Sequence, residues 1–319
     1  MTRAATDNGA TAGIIWQSQA MSRAVALADA AASSDACVLI EGESGTGKEL
    51  FAQRIHARSR RSAGPFIPVN CAGISASLFE SQFFGHLRGS FTGASQDMQG
   101  IARTATGGTV LLDEVGDIPQ DMQAKFLRLL QEQEVMPVGS PTPVRVDTRF
   151  LAATATPLAT LVSRGQFRRD LYYRMNILRI QLPALRDRPA DIPLLLQHYS
   201  RMAADRDGRN PVSFSDDTIN RLTEYPWPGN VRELVAFVER VYITGIDPLA
   251  LAEMLWSEQD ELNDTTDETS DTVVSIPQAE QHAIRNAMRQ TGGNRTQAAR
   301  LLQINRNTLS RKLQQYDIA

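Results

Sequence analysis

Between an apolar run, Cys37–Glu41, and a helical stretch in which Phe51 and Ile55 share a face, the chain reads Gly42-Glu43-Ser44-Gly45-Thr46-Gly47-Lys48. A strand, a glycine-rich turn and a helix in that order constrain the fold more than any other segment. The glycines let consecutive backbone N–H groups converge, and the helix start adds partial positive charge at the same point. Such a cradle fits phosphate oxygens, with Lys48 reaching the β- and γ-phosphates of a nucleotide. Glu49 stands where the generic motif has a hydroxyl for magnesium. Gly107–Glu114 reads as a buried strand ending in two adjacent acids. Taken with the cradle, the pair assigns Asp113 to Mg2+ and Glu114 to the attacking water of ATP hydrolysis.

Five further observations bound the fold class. Short apolar runs at Cys37–Glu41, Phe66–Asn70, Thr109–Asp113, Arg149–Thr154 and Ile177–Leu182 alternate with helical stretches, which predicts an α/β domain with a parallel sheet covered on both faces. From Leu185 to Ile246 only amphipathic helices remain, with Pro189 and Pro228 near helix starts, so an α-helical lid is expected. With 42% hydrophobic and 22% charged residues, wholesale disorder is excluded. No run approaches the roughly 18 apolar residues of a spanning helix and Met1–Gly13 has no signal-type apolar core, so a cytoplasmic chain without membrane insertion is expected. Cys37 and Cys71 have no metal-type spacing, which excludes a disulfide scaffold and argues against a Cys/His zinc site.

The net charge of -3 conceals an internal contrast. Ala252–Thr272 carries eight acidic and no basic residues, whereas Ser275–Ala319 carries seven basic and two acidic. The acidic, Ser/Thr-rich stretch Glu258–Ser275 reads as a linker. The basic tail suits a polyanion, the alternative being a solvated surface helix. Within it, Pro277–Gln290 has Ala279, Ala283 and Ala287 four apart; Asn294 with Gln297 resembles a cap opening a second helix with Ala298, Leu301 and Leu302 on one face. A turn through Gln303-Ile304-Asn305 leads to a third helix with Leu309, Leu313 and Tyr316 inward. This is a helix-turn-helix pattern. Its last helix would turn Arg306, Asn307, Thr308, Ser310 and Arg311 to DNA and Lys312 to phosphate, a three-helix protein-binding bundle being the alternative.

At Phe84-Gly85-His86-Leu87-Arg88-Gly89-Ser90-Phe91-Thr92-Gly93-Ala94 the pattern becomes specific. Gly89-Ser90-Phe91-Thr92-Gly93-Ala94 resembles the G-A-F-T-G-A loop of the bacterial enhancer-binding activators of sigma-54 RNA polymerase, which are AAA+ ATPases. The resemblance runs from about Ile14 to the C-terminus, with Ser90 in place of the family's Ala. It implies that this loop follows the nucleotide state and that Phe91 and Thr92 contact the sigma factor. Phe66–Ala72 looks like the strand carrying the family's switch asparagine, implying that Asn70 holds Glu114 back from water. Gly165–Arg174 is similar to the arginine-finger segment, with Arg168 and Arg174 in the matching places and Arg169 between them. Trp227–Leu234 matches the second sensor, which implies Arg232 over the nucleotide; Asn230 fits the helix N-cap with Glu233 three residues on. In the first sensor, Ala152-Ala153-Thr154-Ala155 replaces A-A-T-N, leaving Thr154 to bond near the γ-phosphate. Trp16 stands where the family has Gly, beside the expected adenine pocket. The C-terminal module is similar to the Fis-type domain of these activators.

The resulting expectation is an ATP-dependent transcriptional activator. It has a short tail at 1–13, an α/β AAA+ P-loop subdomain at 14–184, a helical lid at 185–251, an acidic linker at 252–275 and a helix-turn-helix at 276–319. It would bind upstream enhancer DNA as dimers, assemble a ring, a hexamer by the resemblance, and remodel the sigma-54 RNA polymerase closed complex. About a dozen residues precede Ile14, so control is expected from a separate regulatory protein or from expression level. Two rivals are an AAA+ remodeller of another substrate, and a DNA-binding regulator using ATP only to set its oligomeric state.

Overall fold

The computed structural model describes residues 13–73, 75–266, 281, 284–285, 287–288, 291, 294–302 and 304–316. Residues 1–12 of the expected tail, the acidic stretch beyond 266 and most of the helix expected over Pro277–Gln290 fall outside the described residues. The chain divides into two compact units, Met1–Trp256 and Ser257–Ala319.

In the first unit the described strands are β1 (Val38–Glu41), β2 (Phe66–Asn70), β3 (Thr109–Asp113), β4 (Glu134–Val135), β5 (Val144–Arg145), β6 (Arg149–Thr154) and β7 (Leu178–Gln181). Five form one sheet in the order β2-β3-β6-β1-β7, and β4 pairs only with β5. Every pairing in the larger sheet is parallel. Pro68 lies in β2 at the sheet's edge, where a missing N–H is tolerated.

Around the sheet run α1 (Gln19–Ala32), α2 (Lys48–Ala57), α3 (Ala76–Phe84), α4 (Ile101–Thr104), α5 (Gln120–Glu132), α6 (Leu158–Ser163) and α7 (Arg169–Met175). Because strand side chains alternate, each central strand feeds two cores. Val38, Ile40, Leu111, Leu151 and Ala153 pack with Met21, Val25 and Ala28 of α1 and Phe51 and Ile55 of α2. Leu39, Val110, Leu112, Phe150 and Ala152 pack on the opposite face with Phe79 and Phe83 of α3, Phe126 and Leu129 of α5 and Leu171 of α7. Burial of each such Leu or Phe contributes about 1.5–3 kcal/mol. Cys37 and Cys71 are both free and buried.

The helical half follows as α8 (Ile192–Asp207), α9 (Asp216–Glu224), α10 (Asn230–Thr244) and α11 (Pro248–Thr266). Pro189 opens a short 3-10 turn that leads into α8. Leu196, Leu222, Trp227, Leu234, Phe237 and Leu251 form its core. Here the structure differs from the linker expected over 252–275. Helix α11 runs through position 252, and Ala252 and Leu255 belong to the lid core. Its opening turn is tied by Asp247 Oδ1, which accepts from Leu249 N and Ala250 N.

In the second unit, Asn294 caps the helix Arg295–Leu301 by accepting from Thr296 N and Gln297 N, as its sequence position predicts. The helix Arg306–Gln315 comes next, and Ala298, Leu309 and Leu313 meet in a small core with Ile284 and Met288.

Candidate functional site

The glycine turn leaves β1 at the carboxyl edge of the sheet, the edge at which open α/β sheets bind ligands. Gly47 takes φ 101° and serves as N-cap of α2, so Lys48 opens the helix. Thr46 Oγ1 donates to Glu43 O at 2.7 Å, and Lys48 Nζ donates to Gly42 O at 3.0 Å. Lys48 Nζ also stands 3.5 Å from Glu114 Oε1. Glu114, just past β3, adopts φ 51° and accepts from Ala155 N through Oε2 at 2.9 Å. Asp113 accepts from Glu114 N. Burial, and then the Glu114 carboxylate beside it, push the Asp113 pKa above the usual carboxylate range. Two carboxylates beside one lysine leave negative charge in excess, which suits a divalent cation carried in with phosphates.

The lid closes the cleft from above. Arg232 NH1 donates to Ser44 Oγ at 3.0 Å, and Val231 N donates to Gly45 O at 3.0 Å. The approach is so close that a Cβ on Gly45 would lie 2.2 Å from Gly229 O, which only glycine permits. Glu43 is held by Arg186 and by Asn230 Nδ2 at 3.2 Å, contacts that lower its pKa. The resulting cleft of about 450 Å³ is lined by Ser44–Leu50, Asp113, Glu114 and Arg232. Ile14, Ile15, Met21, Leu195, Tyr199, Val231 and Val235 also line it, Val231 next to the cradle through its bond to Gly45 O. The buried Arg188 guanidinium lines the cleft as well, donating to Thr46 O at 3.3 Å, and burial lowers its pKa. A lining that combines a phosphate cradle with apolar side chains suits a nucleotide's phosphates and base.

Ser44, Gly45, Thr46, Gly47, Lys48, Glu49, Asp113, Glu114 and Arg232 are thus brought together, with Gly42 and Glu43 adjoining. Other expected residues lie elsewhere. Thr154 is buried, donates to Thr156 O at 2.8 Å and does not line the cleft. Asn70 is exposed, and its Oδ1 accepts from Ala72 N rather than meeting Glu114; the groups that hold Glu114 are Lys48 and Ala155 N. Arg168 is exposed and forks onto Asp170 at 3.1 and 2.8 Å. Arg174 instead donates from Nε and NH2 to Leu130 O, near the end of α5.

Two local readings change. Trp16 does not line the cleft: it is buried against α1, donates to Ser22 Oγ and lies beneath the Arg54 guanidinium. Gly229, not Asn230, is the N-cap of α10, and Glu233 reaches back to Gly229 N. Asn230, wholly buried at φ 52°, accepts from Leu185 N and donates to Glu43 and Ser44 O. Sequence reasoning missed this bolt between cradle and lid because an asparagine ahead of an apolar helix also satisfies a local cap.

The loop Gly89–Ala94 closes on itself through Gly89 N to Ala94 O and Ala94 N to Phe91 O. Phe91 is 45% exposed and meets His86 edge-on at 5.0 Å, while His86 Nδ1 and Ser81 Oγ are 2.7 Å apart. Thr92 and Gly93 are exposed and Ala94 is buried. In the second unit Arg306, Asn307 and Arg311 are exposed, and Thr308, Ser310 and Lys312 are half-buried.

A parallel sheet with a phosphate cradle, two acids on a neighbouring strand and a helical lid laying an arginine on the cradle defines a P-loop ATPase of the AAA+ class. Comparison with known proteins is more specific. The Sigma-54 interaction domain matches residues 14–181, an AAA+ ATPase lid domain matches 186–272, and the Bacterial regulatory protein, Fis family, matches 275–316. The chain belongs to the sigma-54 activator family of transcriptional regulators and carries a Fis-type DNA-binding domain. It is 44% identical over 309 residues to the transcriptional regulatory protein ZraR of Salmonella typhimurium, covering 94% of this chain and 68% of the relative. With the transcriptional regulatory protein GlrR of Escherichia coli it shares 41% identity over 314 residues, 98% of this chain and 70% of the relative. Among solved structures, NtrX from Brucella abortus in complex with ATP superposes with a TM-score of 0.69 at 31% identity, covering 96% of this chain and 69% of that one. No helix among the described residues is long and apolar enough to cross a membrane.

Proposed function

We propose that this activator hydrolyses ATP at the boundary between subunits of a ring and uses the Phe91 loop to remodel the sigma-54 RNA polymerase closed complex, while its C-terminal helix Arg306–Gln315 holds enhancer DNA. The observation that carries this reading is the convergence of Lys48, Asp113, Glu114 and Arg232 on one cleft, in a chain whose exposed Phe91 sits on a separate closed loop. Lys48 and the cradle N–H groups would bind the phosphates, with Arg232 over them from the lid. Asp113 would hold a magnesium ion that comes with the nucleotide, whose chemistry is to neutralise phosphate charge. Glu114 would accept a proton from water as its oxygen attacks the γ-phosphorus and the bridging oxygen leaves with ADP. Arg168, exposed and with its guanidinium forked onto Asp170, suits a finger lent to a neighbour; the double bond of Arg174 to Leu130 O supports an anchoring role for that residue instead. Arg306, Asn307, Thr308, Ser310, Arg311 and Lys312 would meet DNA.

Transcription from a sigma-54 promoter in vitro tests the reading. Open complexes are expected with ATP and not with a non-hydrolysable analogue, and Glu114→Gln should abolish them while nucleotide binding persists. Thr92→Ala should retain ATPase activity yet form no open complexes. Normal activation by Glu114→Gln would instead favour a regulator that uses ATP only to set its oligomeric state.

A further inference from the structure

Helix α5 lies between two segments that the proposed reaction uses in different subunits. Its Gln123 side chain is wholly buried. Gln123 Oε1 accepts from Arg168 N at 2.8 Å, and Nε2 donates to Gln166 O and to Ile118 O, each at 3.1 Å. Its amide oxygen and both amide protons are therefore engaged. Ile118 closes the short turn Val115–Asp117 that comes after Glu114. Gln166 and Arg168 flank the buried Phe167 at the entrance to α7. One turn earlier on α5, Gln120 Nε2 donates to Gly165 O at 3.0 Å. The Arg168 guanidinium is exposed and forked onto Asp170, but the backbone that launches it is tied to the turn after Glu114.

We propose that Gln123, assisted by Gln120, is a positioning residue for the arginine finger: it fixes the point at which Arg168 leaves its own subunit relative to the Glu114 turn, so its effect is felt in the neighbour's cleft. This rests on Arg168 acting across the subunit boundary. Gln123→Met keeps the bulk of the side chain but leaves Arg168 N and two carbonyls without their partner. Displacement of a catalytic group by about 1 Å costs on the order of 10²-fold in rate. The loss should fall on kcat, with KM for ATP unchanged, because no group that touches the nucleotide is altered.

Mixed rings distinguish this from a general packing role. A Lys48→Ala subunit supplies a finger but cannot bind nucleotide, and an Arg168→Ala subunit supplies a cleft but no finger. Together they should recover ATPase activity that neither has alone. Gln123→Met added to the Lys48→Ala subunit should cut the recovered kcat at least about tenfold; added to the Arg168→Ala subunit, where only its tie to the Glu114 turn counts, it should have a clearly smaller effect. Equal loss in both settings, or no loss in the finger-donating one, overturns the proposal. Failure of the parent pair to complement removes the finger reading, and this proposal with it, a result distinct from the other two. Should Gln123→Met fail to melt cooperatively, Gln120→Ala, which cuts only the exposed tie, should show the same asymmetry with a smaller loss, and symmetry there overturns the proposal equally.

Discussion

Ser90 differs from the alanine that its relatives' loop would lead one to expect by one hydroxyl, and that oxygen is buried with no hydrogen-bond partner among the described residues. Gly139 lies directly against it: a Cβ there would sit 2.7 Å from Ser90 Cβ. An unpaired buried hydroxyl costs about 1–3 kcal/mol, so Ser90→Ala should stabilise the chain by about 1 kcal/mol. Thermal melting should rise by about 2–4 °C for a unit of this size; a lower melting temperature would show that Ser90 Oγ has a partner in solution. Residues differ in how far the sequence reveals them. Gly45, Lys48, Asp113 and Glu114 are legible because a phosphate cradle and its acids demand those types at those places. The cost at Ser90 is not, since it depends on Gly139, remote in sequence. Asn230 is misread for the same reason, its partners Glu43, Ser44 and Leu185 being remote from it in sequence.

Among the elements, the five strands of the main sheet are legible almost to the residue because each is a short apolar run bounded by helical pattern. The β4–β5 hairpin has two residues per strand and offers no periodicity to detect. Helix α11 is the instructive difference. Averaged over its length the stretch from 252 is acidic and polar, but Leu251, Ala252, Leu255 and Trp256 put an apolar seam into the lid ahead of most of that charge. Trp256 also lies beneath the Arg221 guanidinium, 4.4 Å from its ring centre. A local seam of a few buried side chains outweighs the polar composition of the acidic residues beyond it. Leu255, 6% exposed, should therefore matter: Leu255→Ala is expected to cost about 2–3 kcal/mol. Denaturant unfolding of the lid would measure it, and a change below about 0.5 kcal/mol, the range of ordinary surface substitutions, would return this turn to the linker.

For the molecule as a whole, what one chain lacks is as informative as what it holds. Its cleft gathers Lys48, Asp113, Glu114 and Arg232, while Arg168 belongs to a different surface and is forked onto Asp170. The Asp170 contact raises the already high Arg168 pKa, so the guanidinium is charged at any working pH. On the proposed reading the missing positive charge comes from a neighbour, and a lone subunit should bind nucleotide without turning it over. ATPase activity per subunit should then rise with protein concentration and level off as rings saturate. Arg168→Ala should lower kcat by about 10³-fold or more with little change in nucleotide affinity. Added to wild type, Arg168→Ala subunits should depress activity in proportion to the boundaries they spoil. Phosphate release measured across a dilution series, with sedimentation at each point, checks all three. Constant activity per subunit down to concentrations at which the chain sediments as a monomer would mean that hydrolysis is completed within a single chain, and the ring would then serve sigma-factor contact alone.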